Sequence, residues 1–214
     1  MIKNIIFDVN KVLRILNNEP LENFMPQKLF LKHKKQYENV MSKDYIQKVY
    51  HNSIFTQYDL GLIERNDLIK RLSEKFSEPL EVVTAVMDTR LQKKHNTVFK
   101  PMINLVKNLK KQGKKVFILS NMGKDMSEVL TDMMGKDNFD DIIYSCDVHM
   151  VKPNKDIYEL AIERFNINPS ESLFVDDTKP NLDTFKILGG HTYLFDYKQM
   201  ENSIAEIENL ISKL

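Results

Sequence analysis

Polar side chains follow four short apolar runs of the sequence, at or just after the point where each run ends. An aspartate follows the first run, a serine and an asparagine the second, a lysine the third and two aspartates the fourth: Asp8, Ser120, Asn121, Lys152, Asp176 and Asp177. A carboxylate can attack phosphorus, a hydroxyl and an ammonium can stabilise charge on phosphoryl oxygens, and carboxylates are preferred ligands of Mg²⁺. This combination of residue types indicates phosphoryl transfer.

The elements that must position these side chains are short strands of a parallel sheet. Five apolar, β-branched or aromatic runs are typical of strands buried on both faces, over 2–7, 115–120, 141–145, 172–176 and 191–195. Helical spacing of apolar residues recurs between them over 102–109, 157–165 and 182–188, and Pro101 and Gly113 mark the ends of the first helix. We therefore predict an α/β fold with a parallel, Rossmann-like sheet, whose carboxyl edge gathers the polar residues.

Residues 14–98 have a different pattern, without a convincing strand. Apolar residues recur at helical spacing around 21–31, 46–50, 68–76 and 82–91, and three polar residues are predicted to lie at helix starts: Ser42, Asn66 and Ser77. We interpret 14–98 as a small all-helical cap domain. It is inserted into a core formed by 1–13 and 99–214.

Composition narrows the classes of partner. The net charge of +1, from 31 basic and 30 acidic residues, gives no electrostatic reason to expect nucleic acid. The one cysteine, Cys146, excludes an internal disulfide framework and favours a reducing compartment. No apolar run is long enough for a membrane span, and charge appears too early for a signal peptide. We expect a cytoplasmic protein without a membrane partner, and no pattern specifies an oligomeric state.

Four segments resemble the four motifs of the haloacid dehalogenase-like superfamily. NIIFDVNKVL contains Asp8, VFILSNM contains Ser120, VKPNKDIY contains Lys152, and SLFVDDTKPN contains the pair Asp176 and Asp177. The segment YDLGLIERNDLIKRL at 58–72 is also similar to part of a cap of this family. The likeness spans nearly the whole chain. It is strongest to the sugar-phosphate phosphatases of the superfamily and to the phosphatase domain of soluble epoxide hydrolases.

The resemblance implies a Mg²⁺-dependent phosphatase that acts on a small phosphorylated metabolite. Asp8 would form an aspartyl-phosphate, Ser120 and Asn121 would hold phosphoryl oxygens, and Lys152 would bridge Asp8 and the phosphate. By the same resemblance Mg²⁺ would bind two carboxylates and one carbonyl, supported by a further carboxylate and an amide: Asp8, Asp177 and the backbone carbonyl of Asn10, with Asp176 and Asn181 in support.

Three positions depart from the usual pattern of the superfamily. Its first motif normally has a second aspartate, the general acid and base, followed by glycine; here Asn10 and Lys11 occupy these positions. Because an amide cannot transfer a proton, a slow phosphatase is expected, or one restricted to good leaving groups. His149 stands where relatives often have glycine, and it is either a substitute acid or a loop residue without a role.

Other readings of the same residues stay open at this stage. Asp8 could merely end a strand, Ser120 could lie in a turn, Lys152 could be solvated, and Asp176 and Asp177 could cap a helix. At the level of function, a metal-free haloacid dehalogenase and a catalytically impaired phosphometabolite-binding protein are the main alternatives. A phospho-accepting receiver domain is disfavoured by the long helical insertion.

Overall fold

The computed structural model of the protein describes residues 1–17, 31–36 and 53–214. These residues contain seven strands: β1 (Asn4–Phe7), β2 (Arg14–Leu16), β3 (Asn96–Val98), β4 (Lys115–Ser120), β5 (Asp141–Tyr144), β6 (Ser172–Asp176) and β7 (His191–Leu194). Five of them form one parallel sheet in the order β5-β4-β1-β6-β7. The five strands predicted from apolar runs are confirmed, with ends that differ by two residues at most.

Both faces of this sheet are buried, which explains why its strands read as continuous apolar runs. Along β1, Ile5 and Phe7 face one core cluster and Ile6 faces the other. Each cluster also contains side chains from helices, so the sheet lies between two helical layers. The parallel α/β core predicted from the sequence is confirmed.

Residues 53–214 contain nine α-helices: α1 (Ser53–Asp59), α2 (Arg65–Phe76), α3 (Leu80–Leu91), α4 (Lys100–Lys111), α5 (Lys124–Met134), α6 (Ser145–Val148), α7 (Lys155–Arg164), α8 (Lys179–Ile187) and α9 (Met200–Lys213). Most of 31–36 is helical as well. Helices α4, α5 and α9 contribute to one core cluster, and α7 and α8 contribute to the other. The helices predicted over 102–109, 157–165 and 182–188 correspond to α4, α7 and α8. Within the described part of the chain, no helix has the length and apolar character needed to span a bilayer.

Helices α1, α2 and α3 form a separate small bundle with its own apolar cluster, which includes Phe55, Leu68 and Val82. The helices predicted around 68–76 and 82–91 are therefore found, whereas those around 21–31 and 46–50, and Ser42, lie outside the described residues except at Leu31. Two predicted helix starts were wrong. Helix α2 begins before Asn66, and Ser77 adopts a left-handed conformation that ends α2.

The prediction that 14–98 contains no strand was also wrong. Strands β2 and β3 pair antiparallel, with Arg14 opposite Val98 and Leu16 opposite Asn96. Each strand has only three residues, too few for a detectable alternation of apolar and polar side chains. Their pairing joins the two chain segments that lead into and out of 17–95, and β2 follows directly after the loop that carries Asp8. The division at 13/14 and 98/99 stays a prediction.

Candidate active site

The strand order of the central sheet brings together the ends of three neighbouring strands. Asp8 follows β1, while Ser120 and Asp176 are the last residues of β4 and β6, which flank β1 on either side. Because parallel strands present their carboxyl ends at one edge, these side chains meet there. Lys152 reaches the same point from the loop between α6 and α7.

The centre of the site is a buried network around the Lys152 ammonium. Lys152 Nζ donates to Asp8 Oδ1 at 2.8 Å and to Asp176 Oδ2 at 2.6 Å. Ser120 Oγ donates to the same Asp8 oxygen at 2.8 Å. All four side chains are buried, and Lys152 retains only 4% exposure. The carboxylate, hydroxyl and ammonium predicted to act together are therefore in direct contact.

Burial and neighbouring charges have opposing effects on the pKa values in this network. Burial, with a contribution from the nearby Asp176 charge, raises the pKa of Asp8 to about 6, although Lys152 and Ser120 act in the opposite direction. Burial would by itself lower the pKa of Lys152, but the carboxylates of Asp8 and Asp176 outweigh it and raise that pKa. The two carboxylates thus favour the cationic form of Lys152, and Lys152 in turn favours the ionised form of Asp8.

Three carboxylates form a set that suits a hard divalent cation. One oxygen each of Asp8, Asp176 and Asp177 lies within 4.8 Å of the other two, and such an oxygen-only donor set is what Mg²⁺ prefers. Asp176 has both oxygens in hydrogen bonds, accepting from Thr178 N at 2.8 Å and from Asn181 Nδ2 at 3.0 Å. Asp177 is partly exposed and is the more open carboxylate of the pair.

Lys11 contacts the metal-ligand candidate Asp177, a contact that the sequence did not predict. Its Nζ lies 3.1 Å from Asp177 Oδ2, and Lys11 itself adopts a left-handed conformation with φ 58°. The sequence identified Lys11 only as a departure at a position where the superfamily has glycine. A cation at this position competes electrostatically with any metal ion that binds the same carboxylate.

Asn121 positions the lysine loop through its side chain. Its Nδ2 donates to the Lys152 carbonyl oxygen at 2.9 Å, and its Oδ1 accepts from the Lys152 backbone N–H at 2.9 Å. The side-chain amide thereby fixes the backbone that carries the ammonium. The predicted contact of Asn121 with phosphate stays a prediction.

Asn10, at the usual position of the general acid and base, and His149, the possible substitute acid, lie in different places. Asn10 is exposed, pairs with Arg14 through an isolated β-bridge and lines a cavity between the helical bundle and the core. His149 has φ 56°, and its Nδ1 donates to the Leu60 carbonyl oxygen at 2.8 Å. This hydrogen bond joins His149 to the segment that follows α1, and not to Asp8. The role of His149 as a substitute acid stays a prediction.

Further contacts attach the helical bundle to the core. Ser145 Oγ donates to the Asp59 carbonyl oxygen at 2.6 Å, and the Tyr58 hydroxyl donates to the Asp125 carboxylate. Gly61 has φ +66°, and a Cβ atom there would lie 2.5 Å from the Cys146 carbonyl oxygen. Only glycine permits this close approach of the two backbones.

A cavity of about 250 Å³ lies between this bundle and the core. Its lining includes Asn10 and Asn121, which are close in sequence to Asp8 and Ser120, but none of the side chains of the carboxylate network. Seven of its lining residues are apolar or aromatic: Leu16, Phe55, Tyr58, Met87, Leu91, Met122 and Met126. No local sequence pattern links these residues, because they come from β2, α1, α3 and the β4–α5 region.

Replacing Lys152 with methionine tests the electrostatic role of the buried ammonium. Removal of one partner of a buried ion pair lowers the free energy of unfolding by about 3–5 kcal/mol, since the remaining charge is left uncompensated. We expect a loss of this size for Lys152→Met in urea unfolding at neutral pH without divalent cations. As the control, Lys124→Met removes an ion pair with Asp147 whose side chains are 62% and 40% exposed, and it should lose less than about 1 kcal/mol. Equal losses would contradict this assignment.

Comparisons with known proteins agree with the geometry. The chain is 30% identical to bifunctional epoxide hydrolase 2 of Sus scrofa over 65% of its length, and it spans about a quarter (24%) of that relative. It is 25% identical to the sesquiterpene phosphatase astK of Aspergillus oryzae, over 66% of this chain and 71% of the relative.

A solved structure shares the fold. It is a haloacid dehalogenase family enzyme of Bacteroides thetaiotaomicron in complex with magnesium and inorganic phosphate, with a TM-score of 0.67, 21% identity and coverage of 93% of this chain and 96% of that one. The family described as haloacid dehalogenase-like hydrolase matches residues 2–189. With that match and the site geometry in agreement, the chain belongs to the haloacid dehalogenase-like hydrolase family.

Proposed function

We propose that this protein is a Mg²⁺-dependent phosphatase that hydrolyses phosphate monoesters through an aspartyl-phosphate on Asp8. The observation that carries the proposal is the contact of one Asp8 carboxylate oxygen with both Ser120 Oγ and Lys152 Nζ, at 2.8 Å each. The name of the Aspergillus oryzae relative and the magnesium and phosphate bound to the Bacteroides thetaiotaomicron enzyme support the same chemistry.

The residues present suit Mg²⁺. Asp8, Asp177 and the backbone carbonyl of Asn10 would bind the ion, and Asp176 with Asn181 would support them. When bound, the ion would neutralise charge on the phosphoryl group and on the attacking carboxylate. Lys152 keeps Asp8 and Asp176 close to each other through its two ion pairs.

In the first step, an Asp8 carboxylate oxygen attacks phosphorus. A P–O bond to Asp8 forms, the P–O bond to the ester oxygen breaks, and the leaving alkoxide takes a proton from solvent water. The Ser120 hydroxyl and the Lys152 ammonium donate hydrogen bonds to the phosphoryl oxygens as their charge is redistributed. The buried position of both donors strengthens these interactions.

In the second step, water attacks phosphorus and the bond between phosphorus and Asp8 breaks. Inorganic phosphate leaves, and the Asp8 carboxylate is regenerated. The residue that normally gives up and then removes a proton is replaced by Asn10, which can only donate or accept hydrogen bonds. Turnover is therefore slow, and leaving groups that need little protonation are favoured.

The proposal is tested by phosphate release from p-nitrophenyl phosphate and acetyl phosphate with Mg²⁺. We expect release by the wild-type protein and its loss to the background rate in Asp8→Asn, because the nucleophile is removed. Asp183→Asn changes an exposed aspartate and should retain the wild-type rate. Undiminished release by Asp8→Asn would contradict the mechanism. Absence of release from either compound would favour a phosphometabolite-binding protein, and metal-independent chloride release from haloacids would favour a dehalogenase.

Restoring an aspartate at position 10 should accelerate the reaction. General acid–base catalysis contributes about 10²–10⁴-fold, or roughly 3–5 kcal/mol of activation free energy. Asn10 is exposed and adjoins the cavity, so a carboxyl group there can reach a leaving group. We expect Asn10→Asp to raise kcat for both substrates, because it restores the activation of water in the second step. It should raise kcat/KM, which reports the first step, more for p-nitrophenyl phosphate than for acetyl phosphate, whose leaving group is more acidic. Unchanged or lower values of both constants for both substrates would show that another group transfers the proton.

Removing the Lys11 charge should strengthen Mg²⁺ binding. The ammonium lies 3.1 Å from Asp177 Oδ2, and its loss leaves that carboxylate uncompensated. We expect Lys11→Gln to lower the Kd of Mg²⁺ roughly tenfold, about 1.4 kcal/mol, in calorimetric titration at low salt. Lys3→Gln, which changes an exposed lysine paired with Glu171, is the control and should bind like the wild type. An equal Kd for Lys11→Gln and wild type would exclude this competition.

A further inference from the structure

The cavity between the helical bundle and the core has an apolar interior. Leu16, Met87 and Leu91 line it from the side of β2 and the helical bundle, and Met122 and Met126 line it from the core. Methionine side chains are flexible and polarisable, so they adapt to apolar groups of irregular shape. Sites with such linings bind the apolar part of a ligand.

Several polar side chains in the lining already have partners within the protein. Asp125 accepts from the Tyr58 hydroxyl and is paired with Arg65 at 3.3 Å. The Asn121 amide is bound to the Lys152 backbone, and Arg14 and Asp59 have interactions of their own. These side chains are therefore less available to a leaving group rich in hydroxyls, which would lose hydrogen bonds to water on entering the cavity.

We propose that the substrate is the phosphate monoester of an apolar alcohol, with its hydrocarbon part in this cavity. The inference rests on the proposed phosphatase function and specifies its substrate class. Asn10 and Asn121 line the cavity and lie close in sequence to Asp8 and Ser120, so the ester group of a phosphate held by Ser120 and Lys152 would enter it. This assignment differs from the sugar phosphate that the family resemblance suggests.

The first test compares kcat/KM for butyl, hexyl and octyl phosphate with that for glucose 6-phosphate and acetyl phosphate, all with Mg²⁺. Burial of one methylene group contributes enough free energy to raise kcat/KM about fourfold, provided that it enters the cavity. We expect a rise of this kind along the alkyl series until the cavity is full. Glucose 6-phosphate should be hydrolysed less efficiently than hexyl phosphate.

The second test changes the cavity itself. Met126→Gln keeps the side-chain length but introduces an amide, and the ratio of kcat/KM for octyl over acetyl phosphate should fall about tenfold. Met133→Gln is the matched control, since Met133 lies on the same helix, packs against the core and is outside the cavity lining. Its ratio should equal that of the wild type. Thermal unfolding of both variants identifies a general loss of structure.

The outcomes separate this inference from the proposed function. Release of phosphate from acetyl phosphate, with or without release from glucose 6-phosphate, but without any gain along the alkyl series would overturn the apolar substrate and leave the phosphatase intact. The same holds if both methionine variants change the ratio equally. Failure of every phosphate compound to release phosphate would overturn the phosphatase and this inference together.

Discussion

The buried ammonium of Lys152 is the interaction on which the site depends. Asp8, Asp176 and Asp177 bring three negative charges within 4.8 Å of one another, an arrangement that repulsion and burial would both oppose. Lys152 compensates two of them directly, at 2.8 and 2.6 Å, and Asn121 fixes the backbone from which it extends. The order of the strands is equally essential. Ser120 and Asp176 reach Asp8 because β4 and β6, which they end, lie on either side of β1.

The helical bundle adds the second requirement, a cavity between the bundle and the core that is lined largely by apolar side chains. Its attachment to the core uses backbone carbonyls of Asp59 and Leu60, which accept from Ser145 and His149. The short β2–β3 pair holds together the two segments that connect the bundle to the core. In the proposed function, the cavity would recognise the leaving group and the buried charges would stabilise the phosphoryl group, so different elements would carry out the two tasks.

The sequence predicted the central sheet and the polar residues at its edge for a clear physical reason. Burial on both faces requires uninterrupted apolar runs, and the residues after those runs necessarily lie at the carboxyl edge of a parallel sheet. The contact of Lys11 with Asp177 and the hydrogen bonds of Asn121 to the Lys152 backbone were not predicted. They depend on loop conformations, including a left-handed φ at Lys11. The cavity as a whole could not be predicted from the sequence, because lining residues such as Phe55 and Met126 are distant in sequence and share no periodicity. Strands β2 and β3 were missed since their stability comes from pairing between distant segments.

The central claim is that Asp8 carries the phosphoryl group between the two steps. Because Asn10 cannot activate water by removing a proton, the phosphorylated form of the protein should accumulate. The most direct measurement is acid quenching of the protein during turnover of acetyl phosphate with Mg²⁺, followed by proteolysis and mass spectrometry. The account predicts a phosphoryl group on Asp8. Turnover with the phosphoryl group on another residue, or with no phosphorylated form at any time point, would contradict it.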